Sequence, residues 1–216
     1  MIRGFSPNDI LFLLGALRWT ALLAAGAFVG SAVVGLVLAT MRLSRFRAVR
    51  WLAIVYVQLV QGIPLLVWLF LLYFGVAMLG FNVDPWLAAI LGFSIYGGAF
   101  LGEVWRGAMG SIEVTQWEAG AALGLSISQQ LRHVIVPQSV QIAIPPTIGF
   151  LVQLIKNTSL ASTIGILEVT REGQLTSAAT YQPMTVYLVV AALYFALCFP
   201  LTQWSRSLER KFNAGR

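Results

Sequence analysis

With 216 residues, 58% of them hydrophobic and only 10% charged, and a mean hydropathy of +0.81, the chain carries more apolar surface than a soluble fold can hide; soluble domains hold about 25% charged residues. The composition is that of an all-α integral membrane protein, because a helix satisfies its own backbone in lipid. A single cysteine excludes an internal disulfide and a single histidine, His133, excludes a paired-histidine metal site. Cys198 lies in an apolar run and is read as a small hydrophobe.

The intervals free of formal charge predict about five spans. The first covers 19–41, with Arg18 and Trp19 suited to an interfacial end. It starts late and is followed by a basic cluster, the pattern of a retained span rather than a cleaved leader. The second interval, 51–80, is longer than a crossing needs, and Gly62 and Pro64 interrupt it, which predicts a kinked or broken entry. The third span covers 85–105. Gly92 to Gly102 (GFSIYGGAFLG) lie within it and suit either close helix packing or a pathway lining with Tyr96 as a polar handle.

Between the third and fourth spans lies a segment too polar for lipid, 111–137 (SIEVTQWEAGAALGLSISQQLRHVIVP). Thr115 followed by Glu118 has the spacing of a capping box, and so has Ser126 followed by Gln129. Ala119, Ala121 and Ala122 favour helix, and Gly124 suits a left-handed helix end. The prediction is two short helices joined at Gly124-Leu125. A DNA-binding helix-turn-helix does not fit, since Arg132 is its only formal cation and phosphate contacts need several. A connector without a partner and a docking element for a cytoplasmic protein both remain. The fourth span covers 134–156, with Pro145-Pro146 inside it, and the fifth 184–204.

Orientation follows from the basic loops. Arg42, Arg45, Arg47 and Arg50 follow the first span, Arg106 and Arg132 the third, and Arg206, Arg210, Lys211 and Arg216 the fifth; these are ten of the 14 Lys and Arg. Five spans put all ten on one side, which the rule makes cytoplasmic, with the N-terminus outside and the C-terminus inside. Arg3, Arg18, Lys156 and Arg171 fall on the other side. The net charge of +6 then needs no nucleic acid.

The hairpin resembles the cytoplasmic "EAA" loop of ABC importer permeases: EAA, three residues, G, nine residues, I, one residue, LP. Glu118, Ala119, Gly124 and Pro137 match at that spacing, Val134 and Val136 replace Ile and Leu, and Gly120 replaces the second Ala. Gln61 to Gly75 (QGIPLLVWLFLLYFG) resembles the RGTPLLVQLFFIYFG type of segment in polar amino-acid permeases, with Gln61 where Arg is frequent. Phe100 to Ile112 (FLGEVWRGAMGSI) is similar to their AEIxRGGIxSI stretch, and Leu154 to Thr170 (LIKNTSLASTIGILEVT) to their LxKxTSLxSxIxxxEL stretch. In one order the four cover roughly residues 15 to 205.

The resemblance implies a type I ABC importer permease (MetI-like) fold, a single transmembrane domain in the bacterial inner membrane. It implies that Glu118, Ala119, Gly120, Ala121, Gly124 and Pro137 belong to a coupling helix seated in a cleft of an ATP-binding subunit. Two copies of that subunit, a second permease subunit, identical or related, and an extracytoplasmic substrate-binding protein are the implied partners. ATP and Mg are bound by the partner, and no Gly-x-x-x-x-Gly-Lys-Ser/Thr loop occurs in the chain. The chain itself is expected to be a transport subunit, not an enzyme, with no cofactor of its own.

Candidate pathway residues are polar groups near the membrane. Gln58 and Gln61 lie beside the break at Gly62-Pro64, where freed backbone groups can bind substrate. Tyr96 is a third-span candidate. Glu103, with Arg106 at i+3, forms either a helix-end ion pair or a gate. Gln153, Lys156, Asn157, Thr158 and Ser159 follow the fourth apolar run; Lys156 either snorkels to outer headgroups or, with its neighbours, holds a substrate carboxylate. Glu168, Arg171 and Glu172 fall in an outer loop, either solvated or facing a binding protein. An ion-coupled secondary transporter would be expected to carry acids deep in its spans, and none is placed there. A membrane scaffold without transport leaves the hairpin match unexplained.

Overall fold

Small residues decide how closely the first and third crossings approach. In the computed structural model, which describes residues 4–213, α1 (Pro7–Arg42) and α4 (Pro85–Gly110) run parallel with their backbones nearly touching. A Cβ built on Gly102 would lie 3.2 Å from the carbonyl oxygen of Gly35, and one on Gly35 would lie 2.9 Å from Leu101 Cβ. Ser31, fully buried, donates to Ala27 O and lies within hydrogen-bonding reach of Phe93 O across the seam. Without a hydrophobic force between helices in lipid, close backbone approach is what holds such a pair, so Gly92 to Gly102 serve packing.

The crossing helices are longer than the charge-free intervals suggested. α1 begins at Pro7, where Ser6 gives its backbone N–H and its hydroxyl to Asp9. Arg18 is therefore inside the helix, exposed, its guanidinium 4.9 Å from the Trp19 ring centroid. A formal charge marks where lipid contact ends, not where the helix ends. α4 is capped at its start by Asp84, which accepts from Trp86 N and Leu87 N. The fourth crossing is one helix, α6 (Ile127–Ile164), and the fifth is α8 (Pro183–Asn213). Arg3 and Arg216 lie outside the described residues.

The second crossing is broken. α2 (Arg47–Gly62) and α3 (Leu65–Met78) meet at 99°. Pro64 offers no N–H to continue the helix, and Trp68 Nε1 donates back to Val60 O. Among the described residues four helices are long and apolar enough to cross a membrane, and the fifth crossing is this bent pair taken as one.

One helix was not anticipated. α7 (Val169–Thr180) replaces the expected outer loop, and Glu168, far from solvated, is fully buried as its N-cap. Glu168 Oε1 accepts from Arg171 N at 2.8 Å; Oε2 accepts from the Tyr194 hydroxyl at 2.7 Å and from Thr20 Oγ1 at 3.4 Å. Thr20 Oγ1 in turn accepts from Val169 N. This node joins α1, α7 and α8 above a core of Leu13, Ala16, Val169, Val186 and Val190. The Glu168 loop assignment is thus overturned: short helices between spans escape a search for charge-free intervals. Cys198 is buried with Ala24, Val152 and Ile155 and behaves as a small hydrophobe.

Candidate functional site

The hairpin turns at Gly124-Leu125, as the spacing predicts, but its second arm is not a separate short helix ending at Pro137: it runs on without a break as the start of α6. α5 (Val114–Ala122) ends in a Schellman turn: Gly124 has φ +73°, its N–H reaches Ala121 O, and Leu125 N–H reaches Gly120 O. The second capping box is present. Ser126 N and Ser126 Oγ donate to Gln129 Oε1, and Gln129 N donates to Ser126 Oγ. The first is not. α5 starts one residue before Thr115, with Glu113 in the capping position, and the Thr115 hydroxyl donates to Glu113 Oε2 at 3.1 Å. Thr115 sits inside the first turn, so its hydroxyl cannot take the N–H of a residue three further on.

Polar groups close the inside of the hairpin, and apolar ones are left outside. Gln130 and Gly120 are buried against each other, and Gln138 on α6 donates to Gln116 on α5. Outward, Leu123 is 80%, Ile127 71% and Val114 69% exposed. Glu118, Ala119, Ala121, Gly124 and Pro137 are exposed too. The hairpin thus carries large exposed apolar side chains on an otherwise polar segment. Gln130 and this cluster were not singled out from the sequence, although a glycine in place of an alanine at 120 hinted that something comes close.

Glu103 joins two helix ends. Arg106 Nε donates to its Oε2 at 2.8 Å, as the i+3 spacing suggested, and Arg42 Nε lies 3.3 Å from its Oε1. The second contact puts the end of α1 beside the end of α4. The basic loop after the first crossing and the hairpin after the third therefore share one side.

The pathway candidates fall in separate places. Gln61 Nε2 contacts Ala99 O at 3.4 Å, while Gln58 is exposed on α2. Tyr96 is half-buried, its ring 4.8 Å from that of Phe100. On α6, Gly149, Gln153 and Lys156 share one exposed face, and Gln153 Nε2 reaches Asn157 Oδ1. Thr158 and Ser159 give their hydroxyl protons to Ile155 O and Lys156 O at 2.7 Å. Such bonds tighten the final turns of α6 to a 3-10 helix, which Gly165 ends at φ +89°. Toward the hairpin, the α6 face opens onto a cavity of about 720 Å³ between α6 and α8, lined by Gln138, Gln141, Pro146, Gly149, Glu209 and Lys211.

Residues 31–214 match the model of a family described as binding-protein-dependent transport system inner membrane component. The chain is 35% identical over 201 residues to the probable amino-acid ABC transporter permease protein YckA of Bacillus subtilis (strain 168), covering 93% of this chain and 89% of that one. It is 34% identical to the L-cystine transport system permease protein TcyB of the same organism, over 93% of this chain and 86% of that protein. It is 32% identical to the glutamine transport system permease protein GlnP of Escherichia coli (strain K12), over 96% and 95%. A crystal structure of an amino acid ABC transporter with histidines superposes with a TM-score of 0.88 at 26% identity, covering 93% of this chain and 94% of that one. The methionine transporter MetNI, at 19% identity and TM-score 0.70, shares the fold.

Proposed function

This chain belongs to the family of binding-protein-dependent transport system inner membrane components, and from that premise we propose that it is the permease through which a polar amino acid enters a bacterial cell. It is an all-α transmembrane subunit of the ABC importer type, located in the inner membrane. ATP hydrolysis takes place in a separate ATP-binding subunit, two copies of which serve a pair of permeases, this chain and an identical or related second one. A binding protein delivers the amino acid on the outer side. The N-terminus lies outside and the hairpin, with the C-terminus, in the cytoplasm, because Arg42, Arg45, Arg47, Arg50, Arg106 and Arg132 fall on one side.

The observation that carries the coupling role is the hairpin itself. Its interior is closed by Gln130 and Gln138, while Leu123, Ile127, Val114 and Glu118 are exposed. Three large apolar side chains left exposed on a polar segment favour a partner over a bare connector. Glu118, Ala119, Ala121 and Gly124 present the docking surface, Gly120 lies behind it against Gln130, and Pro137, inside α6, lies where that helix leaves the hairpin for the fourth crossing. The exposed α6 face with Gln153 and Lys156, and Asn157 beside it, is the stretch of the path that carries the substrate contacts; Gln58, Gln61, Tyr96 and Glu103, apart from it on α2 and α4, line the path elsewhere. The Lys156 ammonium supplies a cation for the substrate carboxylate.

The test is co-purification in mild detergent with the cognate ATP-binding subunit. The native chain should retain it at equal stoichiometry, and Glu118→Lys should lose it while still inserting. Retention by Glu118→Lys, or no ATP-binding subunit with the native chain, would overturn the coupling reading.

A further inference from the structure

Gly120 departs from the family pattern at its second alanine, and one side chain occupies the space this opens. A Cβ built on Gly120 would lie 2.9 Å from Gln130 Cγ and 3.2 Å from Gln130 Cδ, inside the roughly 3.5 Å at which carbon atoms attract. Gln130 is 6% exposed, and its Nε2 donates to Leu125 O at 2.9 Å. Leu125 N–H donates to Gly120 O at 3.1 Å. The three residues therefore close a ring. The joint residue Leu125 is held through its N–H by one helix and through its carbonyl by the other, and the Gln130 stem lies on the bare Cα of Gly120. Cγ is the inner part of that stem. It can move aside only by changing the first side-chain torsion, which takes the amide away from Leu125.

We propose that Gln130, seated against Gly120, is a positioning residue of the coupling hairpin. It sets the angle between α5 and the start of α6, so that a push on α5 moves the fourth crossing instead of folding the hairpin at Gly124. Beyond this clasp, the Gly124 N–H to Ala121 O bond of the turn and the Gln116–Gln138 contact also hold α5. The inference rests on the coupling reading. It also assigns the Gly120 exchange a purpose, since glycine in a helix interior is otherwise a loss.

The experiment is a double-mutant cycle in the assembled transporter, reading the dissociation constant of the cognate ATP-binding subunit. Alanine favours helix over glycine, so a propensity effect alone would leave Gly120→Ala neutral or tighter. The clasp requires the opposite: Gly120→Ala weakens binding about tenfold, the scale of an overpacked contact. Gln130→Ala weakens it less. The double variant Gly120→Ala with Gln130→Ala recovers most of the loss, because a small residue again meets a small one. Additive losses, or no loss in Gly120→Ala, overturn the clasp.

Leu123→Asp in the same assay separates the two readings. If it too binds normally, the docking face itself is wrong; if it alone weakens binding, only the clasp falls. Gln130→Leu keeps the bulk and removes the amide. It should speed hydrogen exchange at Gly124 and Leu125 about tenfold, and unchanged exchange overturns the clasp whether or not Gly120→Ala folds.

Discussion

The hairpin and the Glu168 node invert the usual placement of side chains. In the hairpin, on the polar side, Leu123 and Ile127 stand in the open while Gln130 is buried. At the node a carboxylate is fully buried among α1, α7 and α8, with each oxygen accepting a hydrogen bond. Both place a group in the medium that disfavours it, a carboxylate out of water and apolar side chains in the open, and each implies a compensation. For Glu168 the compensation lies inside the chain, in Tyr194, Thr20 and the Arg171 amide. For Leu123 and Ile127 nothing among the described residues supplies it, which points to a partner. Buried polar groups with satisfied bonds hold the fold, and exposed apolar groups on a rigid support await another surface.

The largest expected effect lies at the node. Glu168→Ala leaves the Tyr194 hydroxyl and the Arg171 N–H without their acceptor, a cost of about 3 kcal/mol. It should appear as a lower melting temperature in detergent, and an unchanged melting temperature would break the contrast. Next, Leu123→Ala should weaken binding of the ATP-binding subunit by about 2 kcal/mol, the size of an interface anchor, with the melting temperature of the isolated chain unchanged. A loss of stability instead would make Leu123 a fold residue. Ser126→Ala removes the acceptor for Gln129 N and should cost about 1 kcal/mol, seen as faster amide exchange at the start of α6. The smallest effect belongs to Thr115→Ala, within about 0.5 kcal/mol. A loss as large as that of Ser126→Ala would restore the Thr115–Glu118 cap that the structure replaces with Glu113.

Two boxes of the same spacing thus came out differently, and the reason is local. Ser126 has extended backbone, φ −64° and ψ 157°, and faces the open end of the next helix. Thr115 lies past the start of α5, where the hydroxyl has only Glu113 within reach. Spacing names residues able to cap but not the residue at which a helix begins. The same holds for α1: Arg18 ended the charge-free interval, yet the helix runs on to Pro7 because an exposed guanidinium costs a helix little.

By itself the sequence determined the class, four of the crossings, the break at Gly62-Pro64, the left-handed turn at Gly124 and the match to permease loops, since all rest on composition or on contacts a few residues apart. Only the tertiary structure decided which polar groups are inside. Glu168 meets Thr20 and Tyr194 across long stretches of chain, Arg42 meets Glu103 between two crossings, and Gln130 meets Gly120 around a turn. A side chain's burial depends on which distant helix lies against it, and the glycines of α1 and α4 set that approach through shape, which no local pattern records.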